Sequence, residues 1–340
     1  MRDPRISMAQ AIGEGLYQAM ERDERVIVIG EDVAGGAGLG APHEGSMGGS
    51  FGVTKPLFPA FGPSRVRDTP ISEAGFTGIA AGAAAAGLRP VVDIMWASFT
   101  PLAFDQLVNQ AAKMRYMFGG QAAVPLTVRM AMGAGLGAAG QHSDTYYSLY
   151  CHIPGLKVVV PSNPYDAKGL LTAAIADDNP VMFFEHMALY TRKDDVPEEY
   201  YEEPLGRARV VREGRDVTII AIAAIVTKAL EAAEQLAAEG VDVEVIDPRT
   251  LSPLDEETLL SSVAKTGRLV VVDESPPRCS IATDIAAMVA ERAFGDLTAP
   301  VRRVTSPHTP VPLSPPLEAA YIPSTERIIA AVGSTIGAMP

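Results

Sequence analysis

The sequence predicts an α/β protein built as two successive open domains, each a parallel sheet covered by helices. Two observations carry this. Short, near-continuous apolar runs alternate with longer amphipathic or Ala-rich segments over most of the 340 residues, as expected for strands buried on both faces. The alternation breaks once, in the charged, Tyr-rich stretch YTRKDDVPEEYYEEPLGRARVVREGR (190–215), and then restarts. Domains are therefore expected over 1–189 and 216–340, with 190–215 as the linker. A hydrophobic content of 47% supplies enough apolar mass for two cores.

The elements follow in order. A helix opens the chain, with Ser7 as its cap and Ala11, Leu16 and Met20 on its inner face. RVIVIG (25–30) is a strand, and the Gly/Ala-rich run after Glu73 is a helix. PVVDIMW (90–96) is a strand, and LAFDQLVNQAAKMRYM (102–117) reads as one helix. PLTVRMAM (125–132), LKVVVPS (156–162) and PVMFFE (180–185) are strands, the last two flanking the helix YDAKGLLTAAIADD (165–178). After the break, strands are expected at 216–225, 241–248, 268–274 and 301–307. Helices are expected at 227–240, 255–267, 281–294 and 324–337, the first two stopped by Gly240 and Gly267.

A formal charge of −13 argues against nucleic acid or an anionic membrane as partner. It fits a protein that handles metabolites, or an acidic subunit that docks on a basic one. Cys151 and Cys279 lie far apart, so no disulfide framework is expected, and a reducing compartment follows. The start of the chain lacks the apolar run of a signal peptide, and the apolar stretch at 78–88 is too short to span a bilayer. The expected location is cytoplasmic.

Three features invite a chemical reading. Gly135-Leu-Gly137-Ala-Ala-Gly140 matches the dinucleotide fingerprint and follows a strand. Its context fails, because Gln141-His142-Ser143-Asp144 comes next and no strand ending in an acid follows about 20 residues on. His142 sits in that polar knot, either as a loop histidine or as a proton carrier near neutral pH. Glu73 stands at the mouth of the Gly/Ala helix. Either it favours the helix dipole behind a Ser72 cap, or it offers a charge to a ligand. No histidine spacing supports a zinc site.

Longer blocks decide between these readings. GEDV (30–33), RVRDTPISEAGFTGIAAGAA (65–84), DQLVNQAAKMRYMFGG (105–120), GAAGQHSD (137–144), PGLKVVVPSNPYDAKGLL (154–171) and VIDPRTLSPLD (245–255) resemble the β subunit of the thiamine-dependent 2-oxo acid dehydrogenase family, nearly end to end. The resemblance implies a thiamine pyrimidine-binding domain followed by a transketolase C-terminal-like domain. It also implies an α2β2 heterotetramer in which the α subunit holds magnesium and the diphosphate end of thiamine diphosphate. In agreement, the Gly-Asp-Gly…Asn-Asn diphosphate motif is missing from this chain.

By the same resemblance, Glu73 is the glutamate that hydrogen-bonds the pyrimidine ring, and Met95 and Phe99 pack on that ring. Glu31 is an acid near the reacting centre. His142 positions the substrate or assists acyl transfer to the lipoyl arm of an acyltransferase core. Asp144 departs from the Gln or Glu frequent in relatives, which leaves fine contacts near the substrate open. AAIADDN (173–179) resembles a potassium loop with Ala174, Asp177 and Asn179 as ligands; a plain helix end is the other reading.

PPRCSIATDIAAMVAE (276–291), VTSPHTPVPLSPPLEAAYIPS (304–324), DVAGGAG (32–38) and VTKPL (53–57) resemble the acetoin-cleaving branch of the family more than the mitochondrial-type pyruvate branch. Acetoin cleavage with acetyl transfer to lipoamide is the expected activity. Decarboxylation of pyruvate or another 2-oxo acid is the alternative, and a non-catalytic binding subunit is a third reading. A self-contained transketolase-like enzyme is disfavoured by the missing diphosphate motif.

Overall fold

Ser7 opens the first helix with a reciprocal pair of bonds. Its Oγ accepts the Gln10 N–H at 3.2 Å, and the Gln10 side chain accepts the Ser7 N–H at 2.9 Å. Met8, Ala11, Ile12, Leu16, Ala19 and Met20 then fall on one buried face at helical spacing. The computed structural model describes residues 3–35 and 48–337; residues 36–38 of DVAGGAG lie outside the described residues.

The chain forms two compact units. The first holds residues 1–132 and 150–205, the second 133–149 and 206–340. In the first unit, β1 (Arg5–Ser7) and α1 (Met8–Arg22) lead into β2 (Val26–Gly30), α2 (Leu57–Phe61), β3 (Val66–Asp68) and α3 (Glu73–Ala85). β4 (Arg89–Trp96) follows, then α4 (Ala112–Met117) and β5 (Thr127–Met132). Helix α5 (Tyr147–Cys151) carries the chain back into this unit, which ends with β6 (Lys157–Val159), α6 (Pro164–Ala176), β7 (Val181–His186) and β8 (Lys193–Asp195). The strand order is β6-β7-β5-β4-β2-β3, every pairing parallel. β2, β5 and β7 are buried at every residue, which is why their sequences read as apolar runs rather than alternating ones.

The second unit is a smaller sheet of order β14-β13-β10-β11-β9. Its strands are β9 (Arg209–Arg212), β10 (Val217–Ala221), β11 (Val243–Asp247), β13 (Leu269–Asp273) and β14 (Arg302–Thr305), with a short β12 (Thr250–Ser252) after β11. Helices α7 (Ile225–Ala238), α8 (Glu256–Thr266), α9 (Ile281–Arg292), α10 (Pro315–Tyr321) and α11 (Thr325–Ile336) complete it. Asp255 caps α8 by accepting the Thr258 N–H at 3.1 Å, and Gly267 ends it in the left-handed region at φ +69°. Ile219, Val245, Val270 and Val272 from the strands meet Ala229, Ile328 and Val332 from α7 and α11 in one apolar core.

The structure differs from the sequence reading in four places. The expected single helix over 102–117 is a 3-10 stretch (Ala97–Ala103), a π-helical stretch (Gln106–Ala111) and α4. Pro101 lies inside the first of these, where it removes a donor and fixes φ. The expected linker 190–215 contains two strands. β8 pairs antiparallel with β1, and β9 pairs antiparallel with β11 at the sheet edge. Residues 133–149, read as part of the first domain, pack in the second unit. Ser72 stands at the start of α3 but makes no capping bond.

Candidate active site

The parallel sheet of the first unit delivers its chemistry at the carboxyl ends of its strands. Glu31 follows the last residue of β2, Asp68 ends β3, Glu73 starts α3, and Met95 lies next to last in β4. Asp68 accepts the Ala34 N–H at 2.6 Å, which fixes the chain just beyond Glu31. Glu31, Met95, Asp93 and Arg129 line one small cavity of about 10 Å³ with Phe51 and Val53. Burial, then the charges of Asp32 and Glu73, push the Glu31 carboxyl up.

Glu73 is only 7% exposed, and its carboxylate has no hydrogen-bond or ion-pair partner among the described residues. Its surroundings fit a ligand that brings a hydrogen-bond donor. Phe99 lies half-buried in the 3-10 turn just after β4.

Met95 has φ +69°, a left-handed conformation that costs a methionine about 1 kcal/mol or more. The β4–β5 register shifts here, between Asp93 and Trp96. Asp93 Oδ1 accepts the Met95 N–H at 2.9 Å. The other Asp93 oxygen pairs with Arg129, its neighbour in register on β5. Arg129 in turn grips Glu185 on β7 with Nε to Oε1 at 2.8 Å and Nη2 to Oε2 at 2.6 Å. Tyr190 completes the cluster by donating to Glu185 Oε2 at 2.7 Å. Burial alone would weaken the Arg129 charge, but Asp93 and Glu185 hold its pKa above the ordinary value. Burial and the Glu185 charge push the Tyr190 hydroxyl up, so it stays a donor.

The sequence reading missed this cluster, although its signal was visible. Asp93, Arg129 and Glu185 are single charges set inside three otherwise apolar strand runs, and those strands turn out to be adjacent.

His142 lies in the second unit, on the loop 133–144. Its N–H bonds the Ala139 carbonyl at 3.3 Å, with Ala139 at φ +57°. Two carboxylates hold the base of the loop. Glu274 accepts the Ala134 N–H at 2.6 Å. Glu318 accepts the Gly135 N–H at 2.8 Å and the Gly137 N–H at 3.2 and 3.0 Å. This disposes of the dinucleotide fingerprint physically, because the amides that would cradle a phosphate are already bonded to anions. The Ser143 hydroxyl beside His142 is buried without a hydrogen-bond partner among the described residues.

Ala174, Asp177 and Asn179 lie at the end of α6, before β7 begins. That is the opposite edge of the sheet; Arg89, which reaches this loop, is about 20 Å along β4 from Met95. The Asp177 carboxylate pairs with Lys157 and accepts the N–H and side-chain amide of Asn179 at 2.9 and 2.8 Å. Arg115 occupies the Asn179 oxygen at 2.9 Å, and the Ala174 carbonyl accepts the Asp177 N–H at 3.3 Å. The carbonyls of Ile175, Ala176 and Asp177 converge on one Arg89 nitrogen, each at 3.1 Å. As it stands, the loop does not fit potassium: its oxygen donors are satisfied by protein cations, and the ion would have to compete with Arg89. Among the described residues, no cluster of His, Cys, Asp and Glu can hold a metal ion. No described helix is long and apolar enough to cross a membrane.

Comparisons with known proteins identify both halves of the chain. Residues 4–193 match the transketolase pyrimidine-binding domain, and residues 206–328 match the transketolase C-terminal domain. The chain is 55% identical over 333 residues to the β subunit of acetoin:2,6-dichlorophenolindophenol oxidoreductase of Bacillus subtilis, covering 98% of this chain and 97% of that one. It is 53% identical to the subunit of the same name in Cupriavidus necator, with 98% of each covered. It is 44% identical to the β subunit of the pyruvate dehydrogenase E1 component of Rickettsia felis, covering 96% and 97%. A solved split-gene transketolase, an inactive β4 tetramer, shares the fold with a TM-score of 0.77 at 24% identity over 98% of both chains. The chain belongs to the family of oxidoreductase β subunits that join a transketolase pyrimidine-binding domain to a transketolase C-terminal domain.

Proposed function

We propose that this chain is the β subunit of a thiamine diphosphate-dependent dehydrogenase component that cleaves acetoin and passes the acetyl group to the lipoyl arm of an acyltransferase core. The single observation that carries the cofactor assignment is Glu73, a buried carboxylate without a hydrogen-bond partner among the described residues, in a pyrimidine-binding domain. The greater identity to acetoin oxidoreductase subunits than to a pyruvate dehydrogenase subunit supports the substrate.

When bound, thiamine diphosphate supplies the carbanion chemistry at its C2 carbon. Glu73 shares a proton with a pyrimidine ring nitrogen and so sets the tautomer of the ring; in a dry pocket water does not compete for that bond. Glu31, whose carboxyl is pushed up by burial and its acidic neighbours, lines a small cavity with Met95. Met95 and Phe99 orient the ring by packing. His142 positions the substrate and moves a proton during acyl transfer. Magnesium and the diphosphate fall to an α subunit in an α2β2 assembly, in keeping with the missing Gly-Asp-Gly…Asn-Asn motif in this chain.

The test is reconstitution. The chain is co-purified with an α subunit carrying the Gly-Asp-Gly…Asn-Asn motif, supplied with thiamine diphosphate and magnesium, and assayed by dye reduction on acetoin, pyruvate and branched 2-oxo acids. A preference for acetoin is expected. A preference for pyruvate moves the chain to the decarboxylating branch. An intact assembly that binds the cofactor but turns over none of these overturns the substrate assignment.

A further inference from the structure

Tracing the contacts outward from Met95 leads back to its neighbour. The Met95 N–H is held by Asp93, Asp93 by Arg129, Arg129 by Glu185, and Glu185 by the Tyr190 hydroxyl. The Tyr190 ring packs on Phe51 with centroids 4.8 Å apart, and Phe51 meets Trp96 edge-on at 5.0 Å. The ring of contacts starts at residue 95 and closes at residue 96. A charge cluster that only joined three strands would not need to return to the same peptide. Nor do buried ion pairs reliably stabilise a fold over apolar packing.

We propose that Asp93, Arg129, Glu185 and Tyr190 form a positioning relay that keeps Met95 in its left-handed conformation and so fixes its side chain for the cofactor. The relay's effect on the cofactor rests on the thiamine reading above; its effect on the backbone at 95–96 does not. The second oxygen of Asp93 is what makes the relay work. Pairing with Arg129 aims the first oxygen at the Met95 N–H, and the Arg129 fork, held by both Glu185 oxygens, leaves Asp93 little freedom to turn. Lysine at 129 would keep the charge and lose the fork.

The chain has one tryptophan, Trp96, beside the strained residue. Its emission therefore reports on this peptide in the full-length chain, without α subunit or cofactor. The variants are Arg129→Lys and Tyr190→Phe, each in the wild-type chain and in Met95→Gly, because glycine accepts φ +69° without strain. In the wild-type chain, both substitutions are expected to shift Trp96 emission. In the reconstituted complex, Arg129→Lys is expected to weaken thiamine diphosphate binding, measured by calorimetry, about tenfold. In Met95→Gly, adding Arg129→Lys is expected to change that affinity less than about twofold, since the conformation no longer needs support.

An equal loss in both backgrounds would mean that Arg129 acts on the fold and not through Met95, which overturns the relay. If Arg129→Lys fails to fold, Tyr190→Phe decides: unchanged Trp96 emission and cofactor affinity overturn the proposal. A wild-type complex that binds no thiamine diphosphate sinks the cofactor reading instead. The emission comparison then still tests the relay on its own.

Discussion

Glu73 shows why one residue's surroundings matter more than its identity. At the start of α3 it would be an ordinary first-turn acid, favoured by the helix dipole. At 7% exposure and without a hydrogen-bond partner among the described residues, its carboxylate is left for a ligand to pair. Glu73→Gln keeps the size and removes the ability to share a proton with a ring nitrogen. The reconstituted variant is expected to assemble normally and to lose at least about 100-fold in kcat. It is also expected to lose no thermal stability, since the described residues give its carboxylate no hydrogen bond to break. Wild-type turnover at saturating thiamine diphosphate would refute the assigned role.

At the scale of elements, helix ends do the local work. Asp255 caps α8 by accepting the Thr258 N–H on Oδ1, while its Oδ2 accepts both the Thr258 hydroxyl at 2.8 Å and the Ala208 N–H at 2.9 Å, tying the approach to β9 to that helix. Burial alone would raise its carboxyl, but these hydrogen bonds outweigh it and hold the group below its ordinary value of 3.8. The sign follows. A carboxyl lowered in the folded state adds stability above 3.8 and loses it as pH falls through the folded value. Asp255→Asn keeps the Thr258 N–H cap but drops the charge and the oxygen that accepts the Ala208 N–H. Its Tm at pH 7 is expected to fall by about 2 °C, with the gap to wild type narrowing as pH is taken below 3.8 and through the folded value. A gap that stays constant over this range would show that the charge contributes nothing.

At the scale of the molecule, each unit carries different candidate site residues. The first presents carboxylates and packing residues at the carboxyl ends of a parallel sheet, and the second carries the histidine loop. The Gly-Asp-Gly…Asn-Asn motif for magnesium and diphosphate occurs in neither. The chain alone, given thiamine diphosphate and magnesium, is therefore expected to reduce no dye in the presence of acetoin, and addition of the α subunit should restore activity. Turnover by the isolated chain would show that the diphosphate site lies within it, and the two-subunit reading would fall.

Most of the strand and helix order, the caps at Ser7 and Gly267, and Glu73 and His142 as candidates were legible in the sequence. Each depends on spacing or on blocks of neighbouring residues. Three things were not. The pairing of β8 with β1 joins segments nearly the whole first unit apart in sequence. The assignment of 133–149 to the second unit rests on Glu274 and Glu318, which are chemically silent until folding brings them to the loop amides. The Asp93–Arg129–Glu185 cluster appears in sequence only as isolated charges in apolar strands. Local periodicity determines which segments form strands and helices, because it reflects burial along one element. Which charges meet is decided by strand order, and strand order is a property of the tertiary structure alone.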